Sequence, residues 1–380
     1  MKVYFLQRRN HRKRQRETVE FLPPEITPLV PAGLDFINDT LLSGPSSSLE
    51  TRLRNAVARR LPLNCRPVDR RAAAEADLVY TWGCFPLFSP RPFVVEMDNP
   101  YGLCYYNLKF FKLLKPLLRK ILLSEKCRKI ICISEACRQN LIAELGPAVG
   151  GKAAVVYPYM ADNLTAERPP KPETEPVEFL FVSTQFLLKG GREVLRAFER
   201  LPAGLNSKAH LTVVSNTPGE FLEQYKNRPW AAFLKADLDK AVLHREHFAK
   251  ADVFVLPTYQ DSLGLVFLEA LSFGLPIIAT AMYATSEFVE DGQNGFIFDP
   301  PFPFYNRDWT MNQDLTPDLP EKIRQDGEYP EITERVFQGV RALLLDRSLL
   351  VRMAARSREK FENDFAPPVR NRAFLRALGL

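Results

Sequence analysis

At 380 residues the chain is long enough for two domains, each with its own core. With 46% hydrophobic and 25% charged residues it has the composition of an ordinary soluble globular protein. No apolar run is long enough to cross a bilayer, and the N-terminus lacks the apolar region of a signal peptide, so a cytoplasmic protein is expected. The six cysteines (Cys65, Cys84, Cys104, Cys127, Cys132, Cys137) contain no close pair of the metal-binding kind, and only four histidines accompany them. They read as reduced thiols, with no metal site expected.

The net charge of +6 is unevenly placed. After an opening strand, Val3–Leu6, comes a run holding Arg8, Arg9, Arg12, Lys13, Arg14 and Arg16. Such a run is either a phosphate-binding arm or a solvated loop; a nucleic-acid partner is not expected. A helix is predicted over Leu49–Arg60, then strands over Asp77–Trp82 and Phe93–Met97. The stretch Leu103–Glu125, bent at Pro116, alternates Lys109, Lys112, Lys115, Arg119 and Lys120 with leucines and phenylalanines. It is either a basic amphipathic helix for an anionic membrane surface, through Lys109–Lys120, or a surface helix packed on its own sheet. Strands over Lys129–Ile133 and Ala154–Tyr157 flank a helix over Glu135–Leu145.

The proline-rich polar stretch 165–177 reads as an interdomain linker. It separates an N-terminal domain (1–164) from a second domain (178–345), with a C-terminal helical segment (346–380) crossing back to the first. In the second half, strands or helices are predicted at Glu178–Ser183, Gly191–Leu201, Leu211–Ser215, Phe248–Leu256 and Phe296–Phe298. Pro300–Pro330 is irregular and reads as a long loop; Ile332–Phe361 is helical.

The densest signal is Leu265-Val266-Phe267-Leu268-Glu269-Ala270-Leu271, one carboxylate inside unbroken apolar sequence. A helix apolar all round is buried, and a buried charge is costly unless paired, ligand-bound or protonated. Val253-Phe254-Val255-Leu256 precedes it and Ile277-Ile278-Ala279-Thr280 follows, both apolar enough for a parallel sheet covered on its two faces. A helix N-terminus at the carboxyl end of such a strand is an anion site.

Three blocks in this half, FLFVSTQFLLKGGREVLRAFERL, ADVFVLPTYQDSLGLVFLEALSFGLPIIAT and SEFVEDGQNGFIFDP, resemble the donor domain of family 4 retaining glycosyltransferases. IICISEACRQNLIAELG and VVYPYMAD are similar, more loosely, to the end of that family's acceptor domain. The resemblance implies the GT-B fold, an α/β arrangement of two doubly wound Rossmann-like domains facing a cleft. It also implies a nucleoside-diphosphate sugar as donor substrate, no cofactor, and no metal requirement.

Asp261 and Glu269 have the spacing of the family's two-acid motif, with Asp in place of the usual first Glu. Glu269 would meet the ribose hydroxyls. Asp261, with the backbone of Ser262, Leu263, Gly264 and Leu265, would meet the donor sugar and diphosphate; alternatively Asp261 is a helix cap. Lys189, followed by Gly190, matches the diphosphate lysine, which can stabilise the leaving diphosphate together with a helix N-terminus. Two departures stand out. The family's companion arginine is replaced within Ser183-Thr184-Gln185, with Arg192 or the other domain as possible substitutes. Asp98 occupies the strand-end position where the family often has histidine, either acting on a sugar or acceptor hydroxyl or capping the turn into Pro100. Glu287 matches a family glutamate but reads as structural.

The expected activity is sugar transfer to an acceptor hydroxyl with retention, in cell-surface glycan or glycolipid synthesis, with catalytic roles for Asp98, Lys189, Asp261 and Glu269. The rivals are a nucleotide-sugar epimerase or phosphorylase on the same fold, and a non-catalytic binding protein acting through Arg8–Arg16.

Overall fold

A computed structural model describes residues 1–6, 13–29, 62–164, 172, 174–312 and 319–380 of the protein. The predicted helix Leu49–Arg60, most of the linker 165–177 and part of the Arg8–Arg16 run lie outside the described residues.

Two parallel six-stranded sheets organise the chain. The first is ordered β2-β1-β4-β6-β7-β8, with β1 Lys2–Phe5, β2 Thr27–Leu29, β4 Leu78–Trp82, β6 Phe93–Met97, β7 Cys127–Cys132 and β8 Ala153–Val155. The second is ordered β11-β10-β9-β12-β13-β14, with β9 Val177–Ser183, β10 Ala209–Ser215, β11 Ala231–Leu234, β12 Val253–Leu256, β13 Ile277–Thr280 and β14 Gly295–Phe298. A small pair, β3 Cys65–Pro67 and β5 Phe85–Leu87, stands apart. Every residue of β4, β6, β12 and β13 is buried, so these strands are largely apolar, with Glu96 in β6 the one charged residue among them.

The strand order fixes where a ligand can sit. In the first sheet the chain reverses direction of travel between β1 and β4, and in the second between β9 and β12. Crevices open outside the carboxyl ends of strands at such reversals. The two sheets present these ends to each other: Ser262, after β12, lies 3.5 Å from Asp98, after β6, and Lys240 bonds Glu17 at 2.7 Å.

Several contacts lock the halves together. Glu287 accepts hydrogen bonds from the backbone N–H groups of Glu135 and Ala136, both at 2.8 Å, and from the Tyr157 hydroxyl at 2.5 Å. It thus caps the helix Glu135–Leu145 from the opposite half, beside the Ser134 cap. Its own helix, Thr285–Phe288, takes no side-chain cap at its start. The final helix, Pro367–Leu378, returns to the first sheet and packs Phe374 against Tyr80 with ring centroids 5.8 Å apart.

Four expectations change. Phe248–Leu256 is not one strand: residues Leu243–Phe248 form a π-helical turn, and pairing begins only at Val253. Leu103–Glu125 divides into a 3₁₀ turn, Pro100–Cys104, and a helix, Leu108–Leu123, with Pro116 inside it. Within Pro300–Pro330 a helix runs over Leu319–Asp326, and the stretch before it folds onto the first half, where Met311 N–H donates to the Tyr101 hydroxyl at 2.8 Å. The arginine run is not simply a solvated loop, because Lys13–Glu20 is helical and the Arg14 side chain is turned inward.

Candidate active site

A hollow of about 510 Å³ opens between the two sets of strand ends. Asp98, Tyr106 and Leu108 line it on one side, Lys189, Asp261 and Ser262 on the other, and Phe304, Tyr305 and Met311 along an edge. A larger hollow, about 1330 Å³, lies at the opposite, amino ends of β9, β12 and β13, among Glu178, Asp252, Leu275 and Arg347. None of the predicted site residues lines it. In parallel sheets the carboxyl ends carry ligand chemistry, so the smaller hollow is the candidate site.

On the second wall, Lys189 and Asp261 follow the two strands that flank the reversal, and this adjacency brings them together. The Lys189 ammonium is 2.8 Å from Asp261 Oδ2 and also donates to the Gln260 carbonyl. Gly190, next in the chain, has φ +75° and faces the Pro257 carbonyl so closely that a Cβ would lie 2.5 Å from its oxygen. Only glycine lets the lysine loop approach the end of β12 this way. Asp261 Oδ1 accepts from the Ser262 N–H at 2.9 Å. Asp261 is therefore not the helix cap. Gly264, with φ +74°, occupies the N-cap of helix Leu265–Ser272, and no side chain caps it. The first turn of that helix, with its N–H groups and positive dipole end, lies just beyond Ser262.

Glu269 sits deeper on the same helix and is only 7% exposed. It is not surrounded by apolar groups alone. His244 Nε2 lies 3.4 Å away and Lys240 Nζ 3.9 Å away, both from the turn preceding β12. Glu269 is not among the residues that line the hollow; Lys240 also bonds Glu17 of the first half, so a charged bridge joins the two halves beside Glu269.

On the first wall, Asp98 accepts from the Asn99 N–H at 3.0 Å and from the Tyr106 hydroxyl at 3.3 Å. The turn into Pro100 is capped by Asn99, whose Oδ1 accepts from Tyr101 N–H at 3.1 Å, so Asp98 is not needed as its cap. Tyr283 donates to the Asp98 carbonyl at 3.4 Å and stacks on Tyr305 with centroids 4.0 Å apart. Tyr105, Tyr106 and Tyr283 all have positive φ, from +50° to +62°. Bulky residues in that region cost roughly 1–3 kcal/mol each, and such strain collects at functional sites. Burial pushes the Tyr283 and Tyr305 hydroxyls well above their usual range, which keeps them protonated donors.

Behind Asp98, the buried Glu96 accepts from the Tyr80 hydroxyl at 2.6 Å and pairs with Arg14 Nε at 3.2 Å. Sequence reasoning missed Tyr106, Tyr283, Tyr305 and Lys240; no local motif marks them. Arg192 does not face the hollow: it pairs with Glu193 at 2.9 Å and donates to the Ile323 carbonyl at 3.2 Å.

Comparison with known proteins agrees with this architecture. Residues 163–303 match the family of glycosyl transferases group 1. The lipopolysaccharide glucosyltransferase WaaG of Escherichia coli (strain K12) is 31% identical over 127 residues, 32% of this chain and 33% of that protein. The matched stretches thus span a third or less of the curated relatives. Over its whole length the chain superposes on the solved structure of HepE from Anabaena in complex with UDP, at TM-score 0.62, 15% identity and full coverage of both chains. The WaaG structure superposes at TM-score 0.58, 17% identity and equally full coverage. The chain has the GT-B fold.

Proposed function

We propose that the protein transfers a sugar from a nucleoside-diphosphate sugar to an acceptor hydroxyl, with retention at the anomeric carbon. The observation that carries this reading is the convergence of Lys189, Asp261 and the Leu265–Ser272 helix N-terminus on one side of a cleft, with Asp98 on the other. An ammonium and a helix dipole placed together stabilise the charge that grows on a departing diphosphate, and they need no metal to do so. Glu269, at the far end of the same helix, is positioned for the ribose hydroxyls. Asp98 and Asp261, on facing walls, are positioned for hydroxyls of the transferred sugar and the acceptor. The match to glycosyl transferases group 1 and the UDP-bound HepE neighbour support the same reading.

The acceptor is a glycan or glycolipid approached at an anionic membrane surface. Leu108 lines the hollow and begins the helix Leu108–Leu123, along which Leu113 is 74% exposed and Leu117 and Leu123 are also exposed, interleaved with Lys109, Lys112 and Lys120. Among the described residues, no helix is long and apolar enough to cross a membrane. The test is nucleoside-diphosphate release from a panel of nucleotide sugars, in the presence of chelator, with and without vesicles of anionic lipid carrying glycolipid extract. Release that depends on acceptor and survives chelation supports the reading. Release of no nucleoside diphosphate from any donor, with or without acceptor, removes it.

A further inference from the structure

The candidate site is short of positive charge for a diphosphate. Among the described residues that line the hollow, Lys189 is the only basic one, and it already faces Asp261, while Asp98 adds a second carboxylate. Thr184 stands where the resemblance expects an arginine, and Arg192 is held away by Glu193. With Lys189 partly neutralised by Asp261, a second cation from the other wall would strengthen diphosphate binding beyond what the ammonium and the helix N-terminus supply.

We infer that Arg14, on the helix that follows β1 in the first sheet, is that cation and binds the diphosphate across the cleft from Lys189. Three observations place it. First, helix Lys13–Glu20 connects β1 to β2 beside the strand-order reversal of the first sheet, opposite the reversal that carries Lys189 and Asp261. Second, Glu17 and Arg14 are three residues apart and share one face of that helix. Glu17 reaches Lys240 at 2.7 Å, and Lys240 stands 3.9 Å from Glu269. Arg14 reaches Glu96 at 3.2 Å and lies within the electrostatic field of Asp98 and Tyr106, which line the hollow. One helix face therefore runs from Lys240, beside Glu269, to Glu96, behind Asp98. A ligand with its ribose toward Glu269 and its sugar between Asp261 and Asp98 would lie along that face, although Arg14 itself is not among the residues that line the hollow.

Third, Arg14 is preorganised. Its side chain is 11% exposed, and the partner carboxylate of Glu96 is itself fixed by the Tyr80 hydroxyl. The ion pair engages Nε, at the base of the guanidinium. The Nη fork is the end whose geometry suits phosphate oxygens.

This inference rests on the proposed nucleotide-sugar reading, and the experiment separates the two. Calorimetric titration of the full chain with UDP, GDP and ADP, each beside its monophosphate, is compared for wild type, Arg14→Gln and Arg14→Lys. Arg14→Gln should weaken the preferred diphosphate by about tenfold or more while leaving the monophosphate within roughly twofold, and Arg14→Lys should recover part of the loss. Unchanged diphosphate affinity in Arg14→Gln overturns the inference and leaves the proposed function standing. Equal loss of diphosphate and monophosphate overturns it as well, because Arg14 would then only hold the wall in shape. A wild-type protein that binds none of the three diphosphates defeats the functional reading and this inference with it.

Discussion

The two walls of the cleft are built on the same plan and carry different chemistry. On the second, a lysine and an aspartate follow adjacent strands and meet at 2.8 Å, with a helix N-terminus next in the chain after the aspartate and glycines at positive φ beside both. On the first, Asp98 is ringed by tyrosines from three separate segments, and behind it Glu96 joins Arg14 to Tyr80. The second wall is an anion cradle made from backbone and short loops. The first is a network of side chains that orients one carboxylate. Under the proposed function, binding of the leaving group and positioning of the reacting hydroxyls would fall to opposite sides of the cleft.

Substitutions on the two walls should separate these roles. Lys189→Ala should lower kcat/KM by about 10²–10³-fold, the range for losing one preorganised charge-stabilising donor, and should also weaken nucleoside-diphosphate binding. Asp98→Asn should lower kcat by about 10²-fold with diphosphate affinity unchanged, measured by steady-state kinetics and titration on the same preparation. If both variants lose binding in parallel, the division between the walls is wrong. Glu269→Gln removes a charge-assisted acceptor and should weaken a ribonucleoside diphosphate by about tenfold or more, with less effect on its 2′-deoxy form. Equal weakening of both forms would take Glu269 away from the ribose.

The remaining effects concern the frame. Glu287 caps the helix Glu135–Leu145 from across the molecule, and burial raises its carboxyl pKa against the opposing bonds from Tyr157 and the two N–H groups. Glu287→Ala should destabilise the protein by about 2 kcal/mol, read as a shift in urea midpoint. The smallest effect lies far from the cleft. His210 pairs with Glu178 at 2.7 Å, and that hydrogen bond raises its pKa above 6.5 despite partial burial. A raised histidine pKa stabilises fully below the unfolded value and loses that contribution as pH rises through the folded value. Wild type should exceed His210→Gln in stability at pH 6, by about 0.5 kcal/mol or less, and the difference should vanish by pH 9.

How much of this was legible in the sequence follows the same contrast between walls. The second wall is written in local motifs: the apolar strands, Lys189-Gly190-Gly191 and the Asp261–Glu269 spacing are each short-range signals, so the fold class and a cluster of residues could be read directly. Strand limits such as Phe93–Met97 and helix limits such as Glu135–Leu145 were legible as well. The first wall is assembled from residues distant in sequence, and pattern alone does not show that Arg14 meets Glu96 or that Tyr283 stacks on Tyr305. The charged neighbours of Glu269 were hidden for another reason. In sequence Phe248 reads as part of the strand after it, although Lys250 and Asp252 lie between them, which masks the π-helical turn that carries His244. The stretch 300–312 lacks periodicity, yet Phe304 and Tyr305 edge the hollow, where Tyr305 stacks on Tyr283 and Met311 bonds Tyr101 of the first half.

The claim beneath all of this is that a nucleotide's diphosphate rests between Lys189 and the first turn of helix Leu265–Ser272. Hydrogen exchange on the full chain, with and without saturating UDP, GDP or ADP, addresses it directly. The account predicts protection concentrated in the amides of Lys189–Gly191 and Ser262–Phe267 for the diphosphate that binds. Protection confined to the hollow among Glu178, Asp252 and Arg347, with those two segments exchanging as before, would contradict it.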